Sequence, residues 1–346
     1  MKSIQFKAAT LGILFFIAGL WPLLAFSHTA GNLYHQAVAA ILDQNLQQAD
    51  SLLQQAIKEF PAFPEAHHLF GMVQYQRTHD PNKAIEAIKQ AVKLNPNFAQ
   101  AQYDLGLLFL NQENIEEAQQ AIQQALTIYP DFWEARLTLA KIHDQRGETS
   151  KAITEYQSVL AQEPFASDAL YHLAYQFMQN NNNTQARELL VRLTKHESQH
   201  SGGWYLLGRL AEQQQQLDQA IEAYQRVLQN DQNHVEAHYN LGFLYQQQDQ
   251  PQRAIEHFQR VTQLNPTDAE AYFNLGVVMV LQNQFDDAEK AYQKGIAIQP
   301  NSIEGQFNIG SFYEFHKQDL QKAQHHYQQY LDLGGTDPRI RQVLQP

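Results

Sequence analysis

Apolar side chains return along this chain on two scales. From residue 30 onward they recur at three- and four-residue steps, the spacing of amphipathic helices. Those helical stretches themselves repeat. Prolines stand at Pro96, Pro130, Pro164, Pro266 and Pro300, at intervals of 34, 34, 102 and 34 residues. Self-similarity at that period signals a stacked array rather than compact domains. With the proline set at repeat position 32, position 8 holds Ala37, Gly71, Gly106, Ala140, Ala174, Gly208, Gly242, Gly276 and Gly310. Position 20 holds Ala49, Ala118, Ala152, Ala186, Ala220, Ala254 and Ala288, and is displaced by one residue to Ala84 and Ala323 in two repeats. Single insertions near Asp80-Pro81 and Lys317-Gln318, where turns are expected, account for both displacements.

The spacing has a direct physical meaning. Positions 4, 7, 8 and 11 share one helical face, as do 20, 24 and 27, so each repeat is predicted to be two amphipathic helices. Small residues at 8 and 20 let the backbones approach, and large ones at 7 and 24 fill the remaining space, as in Leu241 with Phe258 and Leu275 with Tyr292. Proline at 32 is expected to stop the second helix. Asn233, Thr267 and Asn301, each followed three residues later by Glu236, Glu270 or Glu304, read as capping boxes for the next one.

This pattern resembles the tetratricopeptide-repeat (TPR) family over nearly the whole chain. Residues 201–234 match its signature most fully, with Trp204, Leu207, Gly208, Ala220 and Tyr224. Nine repeats are read: 30–63, 64–98, 99–132, 133–166, 167–200, 201–234, 235–268, 269–302 and 303–337, followed by a short tail, 338–346, too short for a full capping helix. The resemblance implies an all-α fold, a right-handed superhelical solenoid of helix-turn-helix repeats. Its concave groove is lined by positions 2, 5, 6, 9, 12 and 13 of each first helix.

Position 6 of that groove carries Asn240, Asn274 and Asn308, with Asp104 earlier. Asparagine offers both a donor and an acceptor, so a spaced row can hold an extended peptide backbone. The run is similar to the asparagine ladder of O-linked N-acetylglucosamine transferases, whose catalytic domain has no counterpart here. Position 5 carries Tyr103, Tyr171, Tyr205, Tyr239, Phe273 and Phe307, suited either to partner recognition or to packing between neighbouring helices. A two-carboxylate clamp would need lysine at position 5, which is absent. The acids at position 2 (Glu65, Glu134, Asp168, Glu236, Glu270 and Glu304) are read as first-turn residues that complement the helix dipole; an acidic row would also favour basic partners.

One motif points elsewhere. His196-Glu197-Ser198-Gln199-His200 fits H-E-x-x-H, which in zinc peptidases sets two imidazoles on one helical face. Here it occupies positions 30–34, where a helix ends, so His196 and His200 are weak metal candidates. No phosphate loop, nucleophile elbow or dinucleotide fingerprint appears.

Composition narrows the classes further. The formal charge is −12, which disfavours nucleic acid as a partner. There is no cysteine, which excludes disulfides, thiol catalysis, cysteine–zinc sites and a lipidated N-terminal cysteine of the kind found in the similar pilus-assembly lipoproteins. The 51 glutamines lie within helical patterns and turns. Residues 1–27 place Lys2 and Lys7 before an apolar run at 8–26 and end in Ala25-Phe26-Ser27. This is the layout of a cleaved secretory signal or an N-terminal inner-membrane anchor. The expectation is an exported, periplasmic protein, soluble or tethered through residues 8–26. It acts without catalysis or cofactor, as a scaffold binding a protein or peptide in its groove during envelope assembly or secretion. The alternatives are an accessory subunit of an envelope enzyme complex, using the same groove, and a zinc hydrolase at 196–200.

Overall fold

In the computed structural model, residues 28–344 are described, and the segment expected to be a signal or anchor lies outside them. Among the described residues every regular element is helical, and no helix is long and apolar enough to cross a membrane. The helices come in consecutive pairs: α1 (His28–Leu42) with α2 (Leu46–Glu59), α3 (Pro64–Thr78) with α4 (Pro81–Leu94), α5 (Ala99–Asn111) with α6 (Ile115–Ile128), α7 (Trp133–Gln145) with α8 (Thr149–Gln162), and α9 (Ser167–Gln179) with α10 (Asn183–His196). They continue with α11 (Ser201–Gln213) and α12 (Leu217–Asn230), α13 (Val235–Gln247) and α14 (Pro251–Leu264), α15 (Ala269–Leu281) and α16 (Phe285–Ile298), α17 (Ile303–Phe312) and α18 (Leu320–Asp332), and end on α19 (Pro338–Val343). Odd-numbered helices up to α17 are the A helices of the repeats and even-numbered ones the B helices. The chain divides into two compact units, one reaching Ser158 and the other starting at Val159.

Each pair closes where position 8 meets position 24. A methyl group added at Gly242 would lie 2.7 Å from the Phe258 ring, and one added at Gly106 would lie 2.6 Å from Ile122. Gly208 against Tyr224, Gly276 against Tyr292 and Gly310 against Tyr327 repeat the arrangement. The alanines at position 20 from Ala49 to Ala323 are fully buried, so the second backbone comes in equally close. The pair is therefore held by large side chains seated on bare backbone, with little void left between the helices.

The A-to-B turn is equally regular. The N–H groups of Gln215 and Gln216 donate to the carbonyls of Glu212 (2.9 Å) and Ala211 (2.9 Å), which is the Schellman closure of a helix C-terminus. The same pair of bonds ends α5, α7, α9, α13 and α15. It requires a left-handed residue, and this is Glu113, Gly147, Asn181, Gln215, Asp249 or Asn283, with φ between 55° and 71°. Only one of these six is glycine.

Three expectations are corrected, and the tail gains a short helix. The B helices α10 and α12 end at the same position as the others, although Ser198 and Gln232 replace the proline. Their C-caps, Glu197 (φ −119°) and Asp231 (φ −137°), are extended in the manner a following proline would impose, so proline reinforces this stop without being needed for it. The caps of α13, α15 and α17 are His234, Asp268 and Ser302, whose side chains accept from the N–H groups of Ala237, Ala271 and Gly305. They lie one residue after the expected Asn233, Thr267 and Asn301, so the glutamates do not close capping boxes. The insertion near Lys317 is absorbed as a π-turn at Tyr313–Lys317, extending α17 rather than the loop. The tail, too short for a full capping helix, nonetheless forms a six-residue helix packed on the last repeat. Asp337 caps α19 in register with the other A-helix caps, Ile340 is fully buried, and Arg339 grips Glu314 at 2.8 and 3.0 Å and the Tyr327 hydroxyl at 3.1 Å. It is the opening of a tenth A helix.

Two outcomes test this packing. Gly242→Val forces the α13 backbone off Phe258 and is expected to cost about 1–3 kcal/mol, part of it recovered in Gly242→Val/Phe258→Leu, as read by denaturant unfolding. Gln215→Gly relieves a left-handed side chain and is expected to gain about 0.5 kcal/mol after the extra entropy of the unfolded glycine is deducted. A loss on that substitution would show that Gln215 contributes more through its side chain than its backbone costs.

Candidate functional site

The A helices of the second unit carry most of the candidate residues. On α13 and α15, Asn274 Nδ2 donates to the Tyr239 hydroxyl at 2.9 Å, and that hydroxyl lies 3.3 Å from a Glu270 carboxylate oxygen. Positions 2, 5 and 6 of adjacent repeats thus meet on one half-exposed face. Burial, reinforced by Glu270, pushes the Tyr239 phenol well above its ordinary range, so it stays a neutral donor. Asn240 is hydrogen-bonded to the Tyr224 hydroxyl, which itself donates to Glu212. An amide has two N–H groups and two lone pairs, so one bond leaves Asn240 and Asn274 with capacity for a ligand. Asn308 sits half-buried at the equivalent place on α17.

Asp104 does not extend this row. It is 4% exposed and accepts from His68 Nε2 at 2.7 Å and Gln100 Nε2 at 3.0 Å, joining α3 to α5. Its charge is used within the first unit, where a buried acid needs such partners.

The aromatic residues at position 5 follow a rule that the sequence did not disclose. In four repeats the ring at this position meets the residue that caps the next A helix. In the first unit Tyr103 lies 4.9 Å from Phe132 between centroids, and His68 lies 5.0 Å from Phe98. In the second, Tyr171 meets His200 at 5.6 Å and Tyr205 stacks on His234 at 5.3 Å. Tyr103 also bonds Thr138 Oγ1 at 3.2 Å, and burial pushes its phenol up to about 12. Phe273 is 4% exposed and closes on Gly295 and Gly305, while Phe307 packs 5.5 Å from Tyr330. These rings are seams between repeats first; Tyr171, Tyr205, Tyr239 and Phe307 keep half-exposed edges on the same face.

The H-E-x-x-H residues are separated by a helix break. His196 ends α10 and stacks on Phe165 at 4.7 Å, Glu197 is the extended cap and bonds Ser167, and His200 Nδ1 caps α11 by accepting from Gly203 N–H at 2.9 Å. The single helical face that a zinc peptidase needs is absent at this segment, which lines an open depression of about 640 Å³. Among the described residues no three histidine, aspartate or glutamate side chains are grouped to hold a metal ion.

A histidine pair not singled out by the sequence lies between α13 and α14. His238 Nε2 sits 3.1 Å from the Gln232 carbonyl, which can only accept, so His238 carries its proton there. Its Nδ1, 2.8 Å from His257 Nδ1, is then the acceptor and His257 the donor. Burial, with His238 and Arg253 adding to it, holds His257 down at about 4, and burial lowers His238 as well. The unfolded chain therefore takes up more protons as pH falls through the window from 6.5 to about 4, and stability declines across it. His257→Gln, which can still donate to His238, is expected to flatten that decline in denaturant unfolding between pH 7 and 4.5. An unchanged slope would place the titration elsewhere.

Comparison with known families agrees with this architecture. The model of the cytochrome c-type biogenesis protein H TPR domain matches residues 189–304. Tetratricopeptide-repeat models match 32–62, 73–131 and 109–166, and that of anaphase-promoting complex, cyclosome, subunit 3 matches 145–227. Among solved structures, pilF of Pseudomonas aeruginosa is 19% identical with a TM-score of 0.54, covering 60% of this chain and 95% of its own. A tetratricopeptide-repeat protein of Parabacteroides merdae is 15% identical with a TM-score of 0.49, over 71% and 97% of the two chains. YrrB, described as a TPR protein with an unusual peptide-binding site, is 20% identical with a TM-score of 0.49, over 54% and 95%. No curated protein matches. At these identities the pilF likeness concerns the fold alone, and it is the repeat models along the chain, together with the paired helices, that identify the protein as a member of the tetratricopeptide-repeat family.

Proposed function

We propose that this protein is a non-enzymatic scaffold that binds an extended segment of another protein along the A helices α13, α15 and α17. The observation that carries the reading is the half-exposed cluster of Asn274, Tyr239 and Glu270, flanked by Asn240 and Asn308 on the neighbouring A helices. Amides repeated once per helix, each with unused donors and acceptors, suit a peptide backbone, whose own groups alternate donor and acceptor. The reading does not depend on Asp104 or Phe273, which are buried. Zinc hydrolysis is disfavoured by the break between His196 and His200.

The site of action in this reading is the cell envelope. Lys2 and Lys7 ahead of the apolar run at 8–26 support export, with the repeats in the periplasm either free or tethered. There the protein organises partners in envelope assembly or secretion.

Crosslinking in native cell envelopes, followed by identification of the captured protein, tests both parts. One dominant envelope partner is expected, with affinity about tenfold or more weaker for the Asn240→Ala/Asn274→Ala/Asn308→Ala variant, provided circular dichroism shows that it folds. Undiminished capture by that variant would make the amide row structural and move the binding site to another face.

A further inference from the structure

The same face carries two features beyond the amides, and together they specify the chemistry of what binds. The first is an exposed apolar surface on α15. Position 13 is polar in the six preceding repeats, from Gln76 to Gln247, but in α15 it is Leu281, 60% exposed, and in the next repeat Phe315, 59% exposed, as it is Leu42 in the first. Val277 and Val280, at positions 9 and 12 of the same helix, are half-exposed beside it. The second is charge. Helices α13, α15 and α17 contain Glu236, Glu270 and Glu304, all exposed, and no lysine or arginine.

The glutamates close no capping box, although each lies in the first turn of its helix and complements its dipole. The N–H groups of His234, Asp268 and Ser302, which a capping-box glutamate would accept, donate instead to the carbonyls of Asp231, Asn265 and Gln299. Glu270 stands on the amide face, sharing the Tyr239 hydroxyl with Asn274. Glu236, whose carboxylate lies 3.3 Å from His234 Nδ1, and Glu304 hold the same repeat position on α13 and α17.

We propose that the bound segment is cationic and bears a bulky apolar side chain. Its lysines or arginines lie along Glu236, Glu270 and Glu304, and its apolar end turns along α15 to cover Val277, Val280 and Leu281, about 10–16 Å further along that helix. This deepens the groove reading and rests on it. Packed helices lie about 9–10 Å apart, and an extended chain advances about 3.3 Å per residue, so the cationic residues recur about every third position. Three partly exposed pairs yield a preference of about fivefold to tenfold for the basic segment over a neutral one, and added salt weakens it.

The test uses the full chain and labelled peptides of about twelve residues, long enough to cross three A helices. One peptide has lysine at every third position with leucine and serine between; two others replace lysine by serine or by glutamate. Fluorescence anisotropy is expected to rank lysine above serine above glutamate. Glu236→Gln/Glu270→Gln/Glu304→Gln should bring the lysine and serine peptides together, and Leu281→Gln should weaken all three.

A lysine preference that survives in the glutamine variant overturns the proposal. So does equal binding of the three peptides; if the asparagine variant still lowers that binding, the groove reading stands and only its charge assignment fails. Absence of binding by every peptide overturns both. Sedimentation supplies a further arm, because a wild-type dimer made monomeric by Leu281→Gln would show that a second copy covers the patch.

Discussion

The architecture depends on the close approach of two helix backbones within each repeat. Glycine or alanine at position 8 and alanine at position 20 remove the side chains that would hold the backbones apart. A ring or branched chain at position 24 then rests directly on the opposite helix, as Phe258 does on Gly242. This contact fixes the angle and depth of every pair, and from it follows what each A helix presents to the next repeat. The Schellman turns carry the same constraint: the chain must reverse within two or three residues to bring position 20 under position 8, and it does so through a left-handed residue whatever its type.

The seams between repeats use different chemistry. Where a position-5 ring meets the cap of the following A helix in the second unit, that cap is a histidine, His200 or His234. One residue there both satisfies a helix N-terminus and packs on an aromatic face. That double use explains why the candidate aromatic residues are only half available to a ligand, whereas the amides one position further along retain free hydrogen-bonding capacity. Binding on this face is therefore added to a surface already required for stacking the repeats.

Much of the fold was legible in the sequence because small residues at positions 8 and 20 are irreplaceable and recur with a strict period. The turns were not legible in the same detail: Gln, Glu, Asn and Asp all occupy the left-handed site, so residue type carries no signal where backbone hydrogen bonds impose the conformation. The helix caps were misplaced by one residue because Thr267 and Asn301 are about as suited to capping as their neighbours Asp268 and Ser302, and Asn233 is better suited by type than His234. Asp104 was read as a groove residue from its position; its commitment to His68, 36 residues away, exists only in three dimensions. Leu281 was the reverse case, visible in the sequence as an apolar residue among glutamines but meaningful only once its exposure is known.

The last described helix, α19, is held differently from the repeats before it. In the interior, each repeat is covered by its neighbour through rings and buried aliphatic groups. At the end, α19 supplies less than two turns, one buried isoleucine, and an arginine held by Glu314 and Tyr327. Its closure leans on charge where the interior seams lean on area. Ions screen the first, and kosmotropic salts strengthen the second, so such salts loosen the docking of α19 relative to the seams between interior repeats.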